Sequence, residues 1–236
     1  MSRQKLLLFD IDGTLLDTGG AGLRSLKQGF IDAFDLAHRE SEFPRLDLAG
    51  TTDGSIVDAL FALFELEKTG ENIENFYSIY HGHLVNGLAN RPAGEGRRLP
   101  GVKRLLTQLR DETDHVLGLL TGNIARGAFT KVEVFGMPGF FEFGAFGDDH
   151  SDRNELGPIG IARAHEKFGI QFAADDVYII GDTPKDIACA RACDAKAVAV
   201  ATGSVSEANL AALDPCFLFT DLEHQREAFL EMLVED

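Results

Sequence analysis

The sequence predicts an α/β fold, a parallel sheet core carrying an inserted helical domain, on three observations. Short apolar runs that read as strands buried on both faces recur along the chain. Apolar residues at 3.6 spacing separate the later runs. One long stretch between the first two runs has helical periodicity and no convincing strand. Strand–helix alternation of this kind implies parallel strands, helices on both faces and right-handed crossovers.

The first run, residues 5–9, ends in Asp10-Ile11-Asp12-Gly13-Thr14-Leu15. Two carboxylates close a strand buried on both faces, and in a continuing strand Asp10 and Asp12 would share one face. Like charges so close cost several kcal/mol unless a cation or a shared proton relieves them. Further strands are expected at Val116–Leu120, 177–180, 197–201 and Phe217–Phe219, with a weaker candidate at 141–146. A helix over Val102, Leu105, Leu106 and Leu109 follows Pro100-Gly101, and another over Ile159, Ala162 and Phe168 follows Pro158. The strandless stretch holds three amphipathic segments: Leu23-Leu26-Phe30-Phe34, Ile56-Leu60-Leu63-Phe64 and Ile73-Phe76-Tyr80-Leu84. Thr18-Gly19-Gly20 and the Pro/Gly-rich residues 91–96 supply hinge chemistry at its edges. Residues 1–16 and 97–236 are therefore read as a Rossmann-like core, and 17–96 as the inserted helical domain.

At 236 residues, with 44% hydrophobic and 25% charged residues, the chain can bury a large core. A net charge of −16 lacks the basic footprint that a nucleic acid or an anionic membrane requires. Three cysteines, Cys189, Cys193 and Cys216, are too few for a disulfide framework and read as small hydrophobes. Residues 1–5 run straight into the first strand without the pattern of a leader, and no apolar stretch is long enough to span a bilayer. A reducing cytoplasm is the expected setting.

Three other strand ends carry polar residues: Thr121-Gly122-Asn123, Gly181-Asp182-Thr183-Pro184-Lys185-Asp186 and Thr202-Gly203. Parallel strands bring their carboxyl ends to one edge, so these groups can meet Asp10 and Asp12 in a single crevice. Hard oxygen donors of this kind suit Mg²⁺. With no Ser–His or Cys–His pairing evident, a carboxylate is the natural nucleophile.

The D-x-D-G-T and G-D-T-x-x-D elements together resemble those of the haloacid dehalogenase-like hydrolases, in particular their phosphoglycolate phosphatase-like branch. The resemblance covers nearly the whole chain. It implies that Asp10 is the nucleophile and forms an aspartyl-phosphate, with Asp12 as general acid and then general base. Thr121 would bind a phosphate oxygen, with Gly122 and Asn123 beside it. Mg²⁺ would be held by Asp10, Asp182 and the Asp12 carbonyl, with Asp186 supporting that shell. Expulsion of halide needs no proton donor at Asp12, whereas an ester oxygen does, so the expected substrate is a small phosphorylated metabolite.

One element departs from the family pattern. Where a lysine is usual, residues 151–158 read Ser-Asp-Arg-Asn-Glu-Leu-Gly-Pro, and Arg153 is the candidate cation. Lys167 and Lys185 are weaker substitutes. The inserted helices resemble a cap that closes over the crevice, excludes water and reads the leaving group. Candidate readers are Arg24, Lys27, Thr51, Thr52 and Asp53, although Asp53 can also serve simply to cap the following helix. His81 and His83, two apart on a helix, do not share a face and make no metal site. Two alternatives use the same carboxylates: a sugar phosphomutase, and a non-enzymatic signalling module whose output is phosphorylated Asp10.

Overall fold

The computed structural model describes residues 3–46 and 49–235, so Met1 and Ser2 of the amino-terminal stretch lie outside it. In chain order the elements begin with strand β1 (Leu6–Phe9), the two-residue β2 (Leu16–Asp17) and helices α1 (Ala21–Ala33), α2 (Asp53–Leu63) and α3 (Gly70–Ala89). Then come β3 (Arg97–Arg98), α4 (Val102–Glu112), β4 (Val116–Leu120), α5 (Ala125–Val134), β5 (Gly144–Ala145) and α6 (Leu156–Phe168). The chain continues through β6 (Val177–Gly181), α7 (Pro184–Ala192), β7 (Lys196–Val200), α8 (Glu207–Ala211), β8 (Phe217–Phe219) and α9 (Arg226–Glu235).

Six strands form one sheet in the order β5-β4-β1-β6-β7-β8, and every neighbouring pair is parallel. The first strand of the chain therefore sits inside the sheet, between β4 and β6. Its four side chains are fully buried, and their alternation divides the core. Leu7 and Phe9 pack on one face with Leu105, Leu109 and Phe229 of α4 and α9. Leu6 and Leu8 pack on the other with Leu156 of α6 and Ile187 of α7. Burying an aliphatic or aromatic side chain of this size contributes about 1.5–3 kcal/mol, so β1 is strongly held.

The expected 141–146 strand shrinks to Gly144–Ala145. The helix at Pro158 begins earlier, at Leu156, and its buried face is Leu156, Gly157, Gly160 and Ala164. Ala162 is exposed there and Phe168 is 40% exposed, contrary to the periodicity read from the sequence. Gly157 and Gly160 explain the difference: α6 approaches Cys193 and Leu8 so closely through them that residues without side chains form the contact face.

Between β2 and β3 the chain makes α1, α2 and α3, and α1 packs along α3. Phe30 anchors this group, with rings of Phe34, Phe43, Phe61, Phe64 and Phe76 at centroid distances of 5.0–6.2 Å. The strands that flank it, β2 and β3, pair antiparallel, Leu16 opposite Arg98 and Asp17 opposite Arg97. Cys189, Cys193 and Cys216 are all free thiols. Among the described residues no helix is long and apolar enough to cross a membrane.

Candidate active site

The carboxyl ends of β1, β4, β6 and β7 open into a cavity of about 550 Å³ roofed by α1, α2 and α3. A larger groove of about 780 Å³ runs along α4, but its lining mixes Lys103 and Arg104 with Asp111 and Glu112 and gathers no cluster of acids like that at the strand ends.

Asp10 follows directly on β1 and is 4% exposed. Its backbone N–H donates to the Ile180 carbonyl at 2.9 Å, which continues the ladder by one residue and fixes the side chain beside β6. The chain then leaves the sheet, and Asp12 takes part only in an isolated bridge with Leu16. Asp10 and Asp12 thus do not share a strand face; the Asp12 side chain stays 42% exposed while that of Asp10 is buried. The turn depends on Gly13, whose φ of +88° disfavours other residues, and any Cβ there would collide with the Asp182 carboxylate. Thr14 Oγ1 donates to Asp182 Oδ1 at 3.1 Å across that close approach.

Asp10, Asp182 and Asp186 each offer a carboxylate oxygen, all within 4.8 Å of one another and all buried. Burial pushes Asp10 up to about 6; Arg153 opposes the rise, and Asp186 and Asp12 add to it. Burial, with Asp10 and Asp186 nearby, pushes Asp182 up to about 8. Three carboxylates crowded around one guanidinium remain short of positive charge, and three hard oxygens fit a small divalent cation. Asp186 differs from the other two. Its Oδ2 accepts from Thr183 N at 2.9 Å and Thr183 Oγ1 at 2.7 Å at the start of α7, and its Oδ1 accepts from Arg153.

Arg153 is 6% exposed, with Nη2 3.1 Å from Asp10 Oδ1 and 2.5 Å from Asp186 Oδ1. Burial works against its charge, but Asp186 and Asp10 more than offset this and raise its pKa further. Lys167 instead pairs with Glu142 at the periphery, and Lys185 bonds Thr51 Oγ1 at 2.5 Å.

Thr121, fully buried at the end of β4, accepts from the Asn123 backbone N–H at 3.3 Å and from its Nδ2 at 2.7 Å. Gly122 touches the helical group directly: its carbonyl accepts from Asp53 N at 2.6 Å, and a Cβ on it would strike the Thr51 carbonyl. Thr51 lines the cavity. Arg24 does not. It lies on an exposed face of α1, bonded to the Gly19 carbonyl at 2.9 Å and to Glu95 at 3.1 Å, so the structure does not bring it to the site. Lys27 likewise pairs outward with Glu40. Thr202, after β7, donates to the Gly13 carbonyl at 2.6 Å. His81 and His83 bond Thr130 and Asp32 separately.

One site residue escaped the sequence reading. Lys131 on α5, 3% exposed, places Nζ 2.6 Å from Asp12 Oδ2 and 2.6 Å from Asn123 Oδ1. A signal existed: Lys131 shares the buried face of α5 with Ala128 and Val132, where a lysine needs a partner. Asp53, a candidate from the inserted helices, does line the cavity. Thr52, not Asp53, caps α2 through Ser55 N, while Asp53 Oδ2 accepts from Ile124 N at 2.9 Å. Burial pushes Asp53 up to about 6, opposed by the Ile124 bond and by Lys131.

Residues 7–200 match the family model of the haloacid dehalogenase-like hydrolases. The chain is 26% identical to a phosphoglycolate phosphatase of Agrobacterium fabrum, over 97% of this chain and 94% of that protein. A hydrolase from Pseudomonas syringae superposes with a TM-score of 0.66 at 20% identity, over 97% of this chain and 99% of that one. A β-phosphoglucomutase from Clostridium difficile does so with a TM-score of 0.68 at 13% identity, over 99% and 98%. Both structural likenesses establish the fold.

Proposed function

The chain belongs to the haloacid dehalogenase-like hydrolases, and on that premise we propose that it is a Mg²⁺-dependent phosphatase of small phosphomonoesters, phosphoglycolate-like or sugar phosphates, acting through an aspartyl-phosphate. One observation carries this reading. A buried Asp10 matched by Arg153 stands in the same cavity as Asp12, whose side chain is open to it. A nucleophile with its cation beside a separate proton carrier is what ester cleavage needs. The kinship with a phosphoglycolate phosphatase supports the substrate class.

An Asp10 carboxylate oxygen attacks the phosphorus, the bond to the leaving oxygen breaks, and Asp12 gives that oxygen its proton. Water then attacks the phosphorus of the aspartyl-phosphate, Asp12 takes the water's proton, and Asp10 departs as a carboxylate. The Thr121 hydroxyl and the backbone beside Gly122 and Asn123 hold the phosphoryl oxygens. Asp10, Asp182 and the Asp12 carbonyl would hold Mg²⁺, which when bound neutralises charge on the nucleophile and the phosphoryl group. Asp186, with both oxygens engaged by Thr183 and Arg153, suits a supporting place behind them. In this reading residues 17–96 act as a cap that excludes water from the cavity.

The test is phosphate release from a panel of phosphorylated metabolites with Mg²⁺, repeated after EDTA. Multiple turnovers, lost on chelation and restored by Mg²⁺, are expected. An isomerised sugar phosphate would make the chain a mutase, and a persistent phosphoprotein would make it a switch.

A further inference from the structure

We infer that Lys131 is the positioning residue of Asp12, holding one carboxylate oxygen so that the other meets the leaving group; the inference rests on the phosphatase reading above. Asp12 Oδ2 accepts from two donors, Lys131 Nζ at 2.6 Å and Asn123 Nδ2 at 2.8 Å. No hydrogen bond from a described residue reaches its Oδ1, and the side chain remains open to the cavity. The carboxylate is therefore fixed at one oxygen and available at the other.

The arrangement is self-consistent in its donors. Lysine can only donate, so the oxygen of the Asn123 amide must face Lys131, as it does at 2.6 Å. That turns the amide nitrogen toward Asp12 and Thr121. Lys131 thus orients Asp12 both directly and through Asn123. The helical group covers the lysine: a Cβ at Gly22 of α1 would lie 3.4 Å from Nζ, at van der Waals contact. The lysine end of the pair is thus shielded from water while the carboxylate stays open, which holds the pair more firmly than one exposed at both ends.

The experiment measures single-turnover phosphoenzyme formation at saturating concentrations of an alkyl and an aryl phosphate, for wild type, Lys131→Met, Lys131→Arg, Asp12→Ala and the Asp12→Ala/Lys131→Met double variant. Each preparation is compared with itself as an alkyl-to-aryl rate ratio, so a reduced folded fraction cancels. Lys131→Met should lower that ratio about 10–100-fold, a share of the ~10²–10⁴-fold that a general acid supplies. Lys131→Arg should restore most of it, and the double variant should lose no more than Asp12→Ala alone. Equal losses on both esters, a Lys131→Met ratio like that of wild type, or additive losses in the double variant would overturn the proposal while leaving the phosphatase reading intact. A wild type that releases phosphate from neither ester in the presence of Mg²⁺ would overturn that reading, and the positioning role with it.

Discussion

Arg153 reaches Asp10 with the same nitrogen, Nη2, that it gives to Asp186, at 3.1 Å and 2.5 Å. One guanidinium nitrogen thus does what an ammonium would do, and the fork of the side chain is largely unused. Nη1 makes only a long 3.4 Å bond to the Gly50 carbonyl, and Nε has no hydrogen-bond partner among the described residues. Because both carboxylates are met by that one nitrogen, the pairing points to charge, rather than bidentate geometry, as the reason for the residue.

Arg153→Ala is accordingly expected to lower kcat/KM by several kcal/mol in transition-state terms, because two buried carboxylates lose their shared cation. Arg153→Lys should recover most of the loss. Steady-state kinetics of both variants, beside Lys167→Ala and Lys185→Ala, check this. Near-normal kinetics in Arg153→Ala would remove the cationic role from this residue.

Asp10→Asn should reduce turnover to near background, since an amide is a poor nucleophile and uncatalysed phosphate-ester hydrolysis is extremely slow. Phosphate release and acid-stable ³²P labelling of the protein both report on it. Appreciable turnover in Asp10→Asn would move the reacting centre elsewhere.

Asp53 gives a prediction about pH. Its carboxyl is pushed up to about 6 in the folded protein by burial, against 3.8 for an aspartate in water. The folded state therefore keeps a proton that the unfolded state has lost, and stability attributable to this group falls as pH rises from 3.8 through 6. The penalty, about 3 kcal/mol in full, grows by about 1.4 kcal/mol between pH 5 and pH 8. Asp53→Asn keeps an oxygen for Ile124 and removes the charge, so its stability relative to wild type should improve by that increment across the window. Urea denaturation at both pH values reads it out, and a difference independent of pH would contradict the assignment.

Gly122→Ala tests the contact between the helical group and β4. A methyl there would strike the Thr51 carbonyl. A loss of about 1–3 kcal/mol of stability is expected from overpacking, together with a raised KM as the roof of the cavity is pushed off. A variant with unchanged thermal stability and KM would mean the contact yields without consequence.

Much of this was legible in the sequence because apolar runs report burial on both faces, and the strands at Val116–Leu120 and Phe217–Phe219 coincide with β4 and β8. The strand-end residues meet because parallel topology leaves them nowhere else to go. Arg153 was visible as a cation where the family pattern has a lysine. Lys131 was passed over because a lysine on a helix is normally read as solvated, although Ala128 and Val132 beside it mark an inward face. Asp53 was visible as a candidate on the inserted helices, but its partner was not, since Ile124 N is 71 residues away and belongs to the backbone. Arg24 misled for the opposite reason: its position on the first helix suggested the cavity, but Glu95 and the Gly19 carbonyl draw it outward.

The pairing of β2 with β3 has a mechanical consequence. Leu16 opposite Arg98 and Asp17 opposite Arg97 bind the outgoing and returning chain together, so the three helices hang from one pivot instead of two. Leu16 is also the bridge partner of Asp12. The strand pair that ties the helices to the sheet thus stands four residues along the chain from Asp12, the carboxylate assigned to proton transfer, and is bridged to it. In the proposed reaction, the hinge of the helices and the backbone of the acid would therefore be one continuous piece of chain.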